Sequence, residues 1–203
     1  MSAPPRGGTL DGMDISTHPL PDADPVDTGW VDAALSTAYA AGDPVGALVG
    51  CPLDGGDGLM LAGWPDPAPD LFEQPYALVE ALAGQGAGPA RFMQVVAFDG
   101  PRSPEWVAAE QAAAHGRLWP AVREVPGIVW TLRLRAADGG TSVVTLAETA
   151  DAIDAAVRAV MSTSLLPGED PRLLTGPDRM GVYRLMHADL PIPAAGGSAG
   201  GGA

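Results

Sequence analysis

Lysine is absent from the 203 residues, and 11 basic side chains stand against 25 acidic ones, a formal charge of −14. Gripping a phosphate backbone needs clustered Lys and Arg, so this balance argues against nucleic-acid binding. The acidity reads as a solubilising surface. The single cysteine, Cys51, excludes an internal disulfide and any multi-cysteine metal site. It reads as a small hydrophobe packed in a strand. No apolar run reaches the ~18–20 residues that span a bilayer, and no basic segment followed by an apolar core opens the chain. The expectation is a soluble, cytoplasmic protein without a membrane partner. Also missing are a Gly-x-Gly-x-x-Gly turn after a strand, a phosphate loop, a Gly-x-Ser-x-Gly elbow and a His-Glu-x-x-His pair. No spacing of acidic residues asks for a metal. No cofactor and no metal are therefore expected.

What is present is a folding chain, 46% hydrophobic, broken by 27 glycines and 21 prolines. Its Ala, Gly, Pro, Asp and Arg bias is of the kind found in high-GC, actinobacterial-like proteomes. One structural phrase is written twice. The clearer copy has a strand over 91–98, a helix from Pro104, then Val125-Pro126-Gly127 and a strand over 128–135. Asp138-Gly139-Gly140 turns into a strand over 141–148, and a second helix and a strand over 180–186 complete it. The fainter copy has Gly29-Trp30-Val31 opening a helix, a strand up to Leu53, Asp54-Gly55-Gly56, and a strand over 59–64. A repeated strand–helix–hairpin–helix unit predicts two ferredoxin-like modules, 8–89 and 90–192, behind an irregular arm at 1–26 and before a disordered Gly-rich tail at 193–203.

Local signals set the element boundaries. Asp27 or Thr28 caps a helix over 27–41 whose stripe includes Trp30, Ala34 and Ala38. A hairpin over 45–64 turns at residues that tolerate positive φ. The segment 71–83 reads as a helix, and a short strand is expected over 10–15. Ser103 with Pro104 at the first helical position is a strong start signal. Pro120 breaks that helix and begins a short one over 120–124. Thr149 or Asp151 opens the last helix, and 165–179 is a loop. One difficulty stands: a single strand lies between the two helical regions, where two complete modules need two.

Several of these phrases have a likeness. Val95-Val96-Ala97-Phe98 before its turn, Arg123-Glu124-Val125-Pro126-Gly127, Asp138-Gly139-Gly140-Thr141 before Val143-Val144, and Gly176-Pro177 before the last strand make residues 91–190 resemble the antibiotic biosynthesis monooxygenase family. The resemblance implies an α+β fold of the dimeric α/β-barrel type. Here it takes the form of two fused pseudo-repeats whose antiparallel sheets face each other, either as a monomer with an internal pseudo-dimer or as a homodimer. It also implies small-molecule chemistry, since the family holds cofactor-independent oxygenases of aromatic polyketides and haem-degrading relatives. The Asn and Trp on which the polyketide oxygenases rely fall at Thr145 and Thr149 in this sequence.

Candidate functional residues are few. Arg133 and Arg135 share one face of their strand, opposite Trp130, Leu132 and Leu134. Buried arginines need acidic partners, so the arginine face is expected at solvent or a polar cavity. Tyr183 and His187, four apart on the last strand, are expected on one side. Arg133, Tyr183 and His187 are the candidates for orienting and polarising a substrate. Trp119, Trp130 and Trp64 are candidates for walling an aromatic ligand, and His115 for ligating haem if haem binds. The functional expectation is an enzyme of secondary metabolism acting on an aromatic or polycyclic substrate. In its most concrete form this is a cofactor-independent monooxygenase or a related cyclase or isomerase. The alternatives are a non-catalytic ligand-binding or structural barrel and, third, a haem binder.

Overall fold

Alternation on β6 (Ile128–Ala136) decides which side of the sheet is which. Leu132 and Leu134 are no more than 1% exposed and join the largest apolar cluster, with Trp130 packed against it. Thr131, Arg133 and Arg135 point the other way. In the computed structural model of the chain, which describes residues 13–65 and 75–192, seven further strands obey the same division. They are β1 (Met13–Leu20), β2 (Gly46–Pro52), β3 (Gly58–Pro65), β4 (Tyr76–Ala83), β5 (Phe92–Phe98), β7 (Thr141–Ala147) and β8 (Arg179–Ala188).

Every pairing is antiparallel, and the strands close into a barrel in the order β1-β3-β2-β8-β5-β7-β6-β4, with β4 returning to β1. The lumen is a packed core of Ile15, Leu48, Leu61, Met93, Val144 and Leu146 with the leucines of β6. Closure removes both sheet edges within one chain. Each run of four strands follows the same path: β4-β1-β3-β2 in the first half and β8-β5-β7-β6 in the second. This is the sheet order of a ferredoxin-like unit, and the fold is α+β, of the dimeric α/β-barrel type.

Helices cover the outside. α1 (Gly29–Ala41) lays Val31, Ala34 and Ala38 on β2 and β3. On the second half lie α2 (Pro104–Ala113), a π-helical turn over Ala114–Leu118, α3 (Trp119–Arg123) and α4 (Ala150–Met161). Their starts are those the sequence announces. The Ser103 hydroxyl accepts the Trp106 N–H at 3.2 Å and the Thr149 hydroxyl accepts the Ala152 N–H at 3.1 Å. Gly127, at φ +82°, makes the turn from α3 into β6 that a side chain would strain. Among the described residues no helix is long and apolar enough to cross a membrane.

Two expectations need correction. Residues 76–83 are strand β4, not the end of a helix over 71–83, of which 71–74 lie outside the described residues. The Ala, Leu and Glu of this segment favour a helix locally, yet its ladder with β6 decides the outcome. A bulge between Leu78 and Glu80 also breaks the alternation, so the inward residues are Tyr76, Leu78 and Ala81, a spacing that advertises no strand. β4 supplies the second strand between the two helical regions. Secondly, the arm at 1–26 is not irregular throughout: β1 occupies Met13–Leu20, later than the strand expected over 10–15, whose residues 10–12 lie outside the described ones.

Leu134, fully buried in the lumen, is a direct probe of this core. Leu134→Ala is expected to cost about 2–5 kcal/mol, read from the urea midpoint. A loss below about 1 kcal/mol would show that the lumen is not packed around it.

Candidate functional site

The outward side chains of the second half form rungs across the strands. Leu82, Thr131, Thr145, Gln94 and Val182 stand side by side on β4, β6, β7, β5 and β8. Two residues along each strand, about 7 Å away, comes the rung of Glu80, Arg133, Val143, Val96 and Met180. α4 and the α2–α3 segment roof these rungs but do not fill the space, and a cavity of about 270 Å³ remains. Its roof is Leu118, Trp119, Val157 and Val160, so the walls are overwhelmingly apolar.

The charged end of the cavity is built from both halves. The bulge in β4 turns Glu80 outward, away from the lumen, to face Arg133. Arg133 is only 11% exposed; its Nη1 donates to Glu110 at 3.4 Å, and its Nε lies 3.6 Å from Glu80 without a hydrogen bond. Arg135 holds the same Glu110 oxygen at 2.8 Å. The acidic partners expected of buried arginines are therefore present. The π-helical turn admits one extra residue, which brings i and i+5 to one side, and so Glu110 and His115 both line the cavity. His115 places Nδ1 2.9 Å from the Gln111 carbonyl and Nε2 3.1 Å from both Glu80 oxygens. The Gln111 carbonyl only accepts, so Nδ1 carries a proton, while Nε2 can donate to a Glu80 carboxylate or accept from its carboxyl form.

The middle of the floor is polar and weakly paired. Gln94, 5% exposed, donates its amide to the Met180 sulfur at 3.4 Å, a poor acceptor. The Thr131 and Thr145 hydroxyls are 3.5 Å apart. An oxygen-bearing ligand would give these groups better partners. The segment from α4 to β8 contributes Pro177 to the cavity lining. It is pinned by Glu169, which accepts two bonds from Arg117 Nε at 2.8 and 3.0 Å.

Of the residues singled out from sequence, Arg133, Trp119 and His115 line this cavity. Tyr183 does not: it packs toward the lumen, where burial pushes its phenol up. Nor does His187, 3.0 Å from Asp189 at the β2–β8 seam. The expected common face of these two is undone by a second bulge, between Val49 and Gly50 as seen from β2, which shifts the alternation of β8. Trp130 points to the lumen side. Trp64 is buried in the first half, where its Nε1 donates to Ser16 Oγ at 2.7 Å. Thr149 caps α4, whereas Thr145 faces the cavity. Glu80, Glu110 and Gln94 were not singled out. Glu80 was hidden by the helical reading of its segment, but the demand of the arginine face for acids pointed to such partners. Among the described residues no group of three or more His, Cys, Asp or Glu is placed to hold a metal.

In the first half the corresponding rungs carry smaller or bulkier side chains packed under α1. By register, Ser16, Ala62 and Ala47 hold the places of Gln94, Thr145 and Thr131, and Trp64 holds that of Ala147. Met60, Ala62 and Trp64 are at most 2% exposed beneath α1.

No family model and no curated protein sequence matches the chain. Solved structures do match in fold. An anthrone oxidase-like protein aligns with a TM-score of 0.55 at 12% identity, over 86% of this chain and 91% of its own. A major regulator of staphylococcal pathogenesis gives 0.54 at 11%, over 85% and 98%. A monooxygenase-like protein from Listeria innocua gives 0.50 at 10%, over 89% and 98%. The chain thus shares its barrel fold with these three proteins.

The plugged half makes its own prediction. The Ser16 hydroxyl accepts from Trp64 and lies 2.7 Å from His18 Nε2, and burial holds the His18 pKa below the ordinary 6.5. The unfolded chain therefore takes up this proton first. Stability contributed by neutral His18 is complete above 6.5 and is lost as the pH falls through the depressed folded value. Urea midpoints between pH 8 and 5 should fall less in His18→Gln than in the parent; equal slopes would refute this.

Proposed function

We propose that this chain is a small-molecule enzyme of secondary metabolism that takes an apolar aromatic or polycyclic substrate. Its most concrete form is a cofactor-independent monooxygenase, with a cyclase or isomerase as the related variant. The observation that carries this reading is the cavity between sheet and helices, apolar in its walls and polar in two places on its floor. At about 270 Å³ the cavity is far larger than a water site and has room for a small organic molecule. The fold it shares with an anthrone oxidase-like protein supports the same direction. The modules are residues 8–89 and 90–192; the second holds the substrate, and the first supplies Glu80 and seals the barrel. With the barrel closed within one chain, the protein works either as a monomer with an internal pseudo-dimer or as a homodimer of such barrels.

In the reaction a ring CH₂ becomes C=O. Two C–H bonds and the O–O bond break; one oxygen enters the product and the other leaves as water with both hydrogens. Dioxygen is the oxidant and accepts four electrons from the substrate. Leu118, Trp119 and Val157 keep water from the reacting carbon, while Gln94 and Arg133 offer donors to its oxygens.

Oxygen uptake with an anthrone-type phenol should exceed the buffer rate, with one labelled atom from ¹⁸O₂ entering the product. Val157→Phe, which fills the cavity, should lower uptake at least about tenfold while Tm stays within about 4 °C. Uptake at the buffer rate overturns the oxygenase reading; ligand binding without uptake identifies a binding protein.

A further inference from the structure

We infer that the charged end of the cavity carries a proton-transfer activity toward enolisable ketones that requires no oxygen: Glu80 is the base, His115 its exchange route to solvent, and Arg133 the partner of the enolate. This rests on the small-molecule reading above and assigns that site a second reaction. The Glu80 carboxylate faces the cavity at 24% exposure, close enough to apolar walls for its charge to be felt. His115, 46% exposed, touches both Glu80 oxygens with one ring nitrogen and is fixed by the Gln111 carbonyl through the other. One side of this pair meets the substrate and the other meets water. The buried Nε–H of Arg133 lacks a hydrogen-bond partner, and its only bond to Glu110 is long at 3.4 Å. A guanidinium with unspent donors beside an apolar chamber suits a charge that develops during reaction.

The step balances without a co-reactant. Glu80 takes the proton α to the carbonyl, and the C–H electron pair moves to the carbonyl oxygen, which faces Arg133. Exchange of the Glu80 proton through His115 and return of a solvent proton to carbon restore the ketone. In D₂O the product carries deuterium.

The test follows the C1 protons of 2-tetralone, α to its carbonyl, and the C10 protons of anthrone, conjugated to its carbonyl through the rings, by NMR in oxygen-free D₂O with the full chain. The chain should accelerate exchange over buffer; Glu80→Gln should lose about a hundredfold and Arg172→Ala nothing. Because Glu80 also faces Arg133, circular dichroism checks folding, and His115→Gln, which leaves that pair intact, should slow exchange at least about tenfold. Lack of acceleration with both ketones, or full activity in folded Glu80→Gln or in His115→Gln, overturns the inference. Oxygen uptake in air is read separately. Exchange without uptake overturns the oxygenase and keeps this activity; uptake without exchange does the reverse.

Discussion

The dry lumen constrains everything else in the molecule. Side chains alternate along a strand, so a barrel packed solid with Leu, Ile, Val and Met dictates what every second residue must be. What remains is presented outward, and only there can polar groups be held without stranding them in hydrocarbon. Gln94, Thr145, Thr131 and Arg133 are on the outer face because their neighbours Met93, Val144, Leu132 and Leu134 fill the inside. The site is thus the reverse side of the core.

Besides the register shift between Ile128 and Trp130, two bulges reset this alternation where a fourth strand crosses to the other half, β4 on β6 and β8 on β2. Each lets its strand satisfy the lumen first and then turn a polar residue outward, Glu80 in one case and His187 in the other. Around Arg133 the result is a largely buried set of alternating charges: Arg133 and Arg135 on β6, Glu110 from α2, Glu80 from β4. Such a set is costly to break, since removing one member leaves its partner charged and unpaired.

The sequence made the second half legible because its signals are local. Ser103-Pro104, Val125-Pro126-Gly127, Asp138-Gly139-Gly140 and Thr149 each act through the nearest few residues, and each acts as expected. β4 was not legible, since its helix-forming residues are overruled by a ladder to a strand some fifty residues on, and its bulge erases the period of two. The same kind of break separated Tyr183 from His187. Arg133 could be found by asking what a buried cation needs. Gln94 could not, because an amide in a strand carries no mark of the cavity above it.

Trp64 gives the barrel a handedness of use. A symmetric pair of such modules, each on its own chain, would offer two identical seats and be bound by the same residue choices in both. Here one chain holds both, and Trp64 with Met60 occupies the outer face of one half while the other half stays hollow. Among the described residues the two outer faces therefore differ, one packed under α1 and the other open as a cavity. Substitutions around Trp64 therefore act on packing, whereas substitutions at the floor of the other half change a surface that packing leaves open.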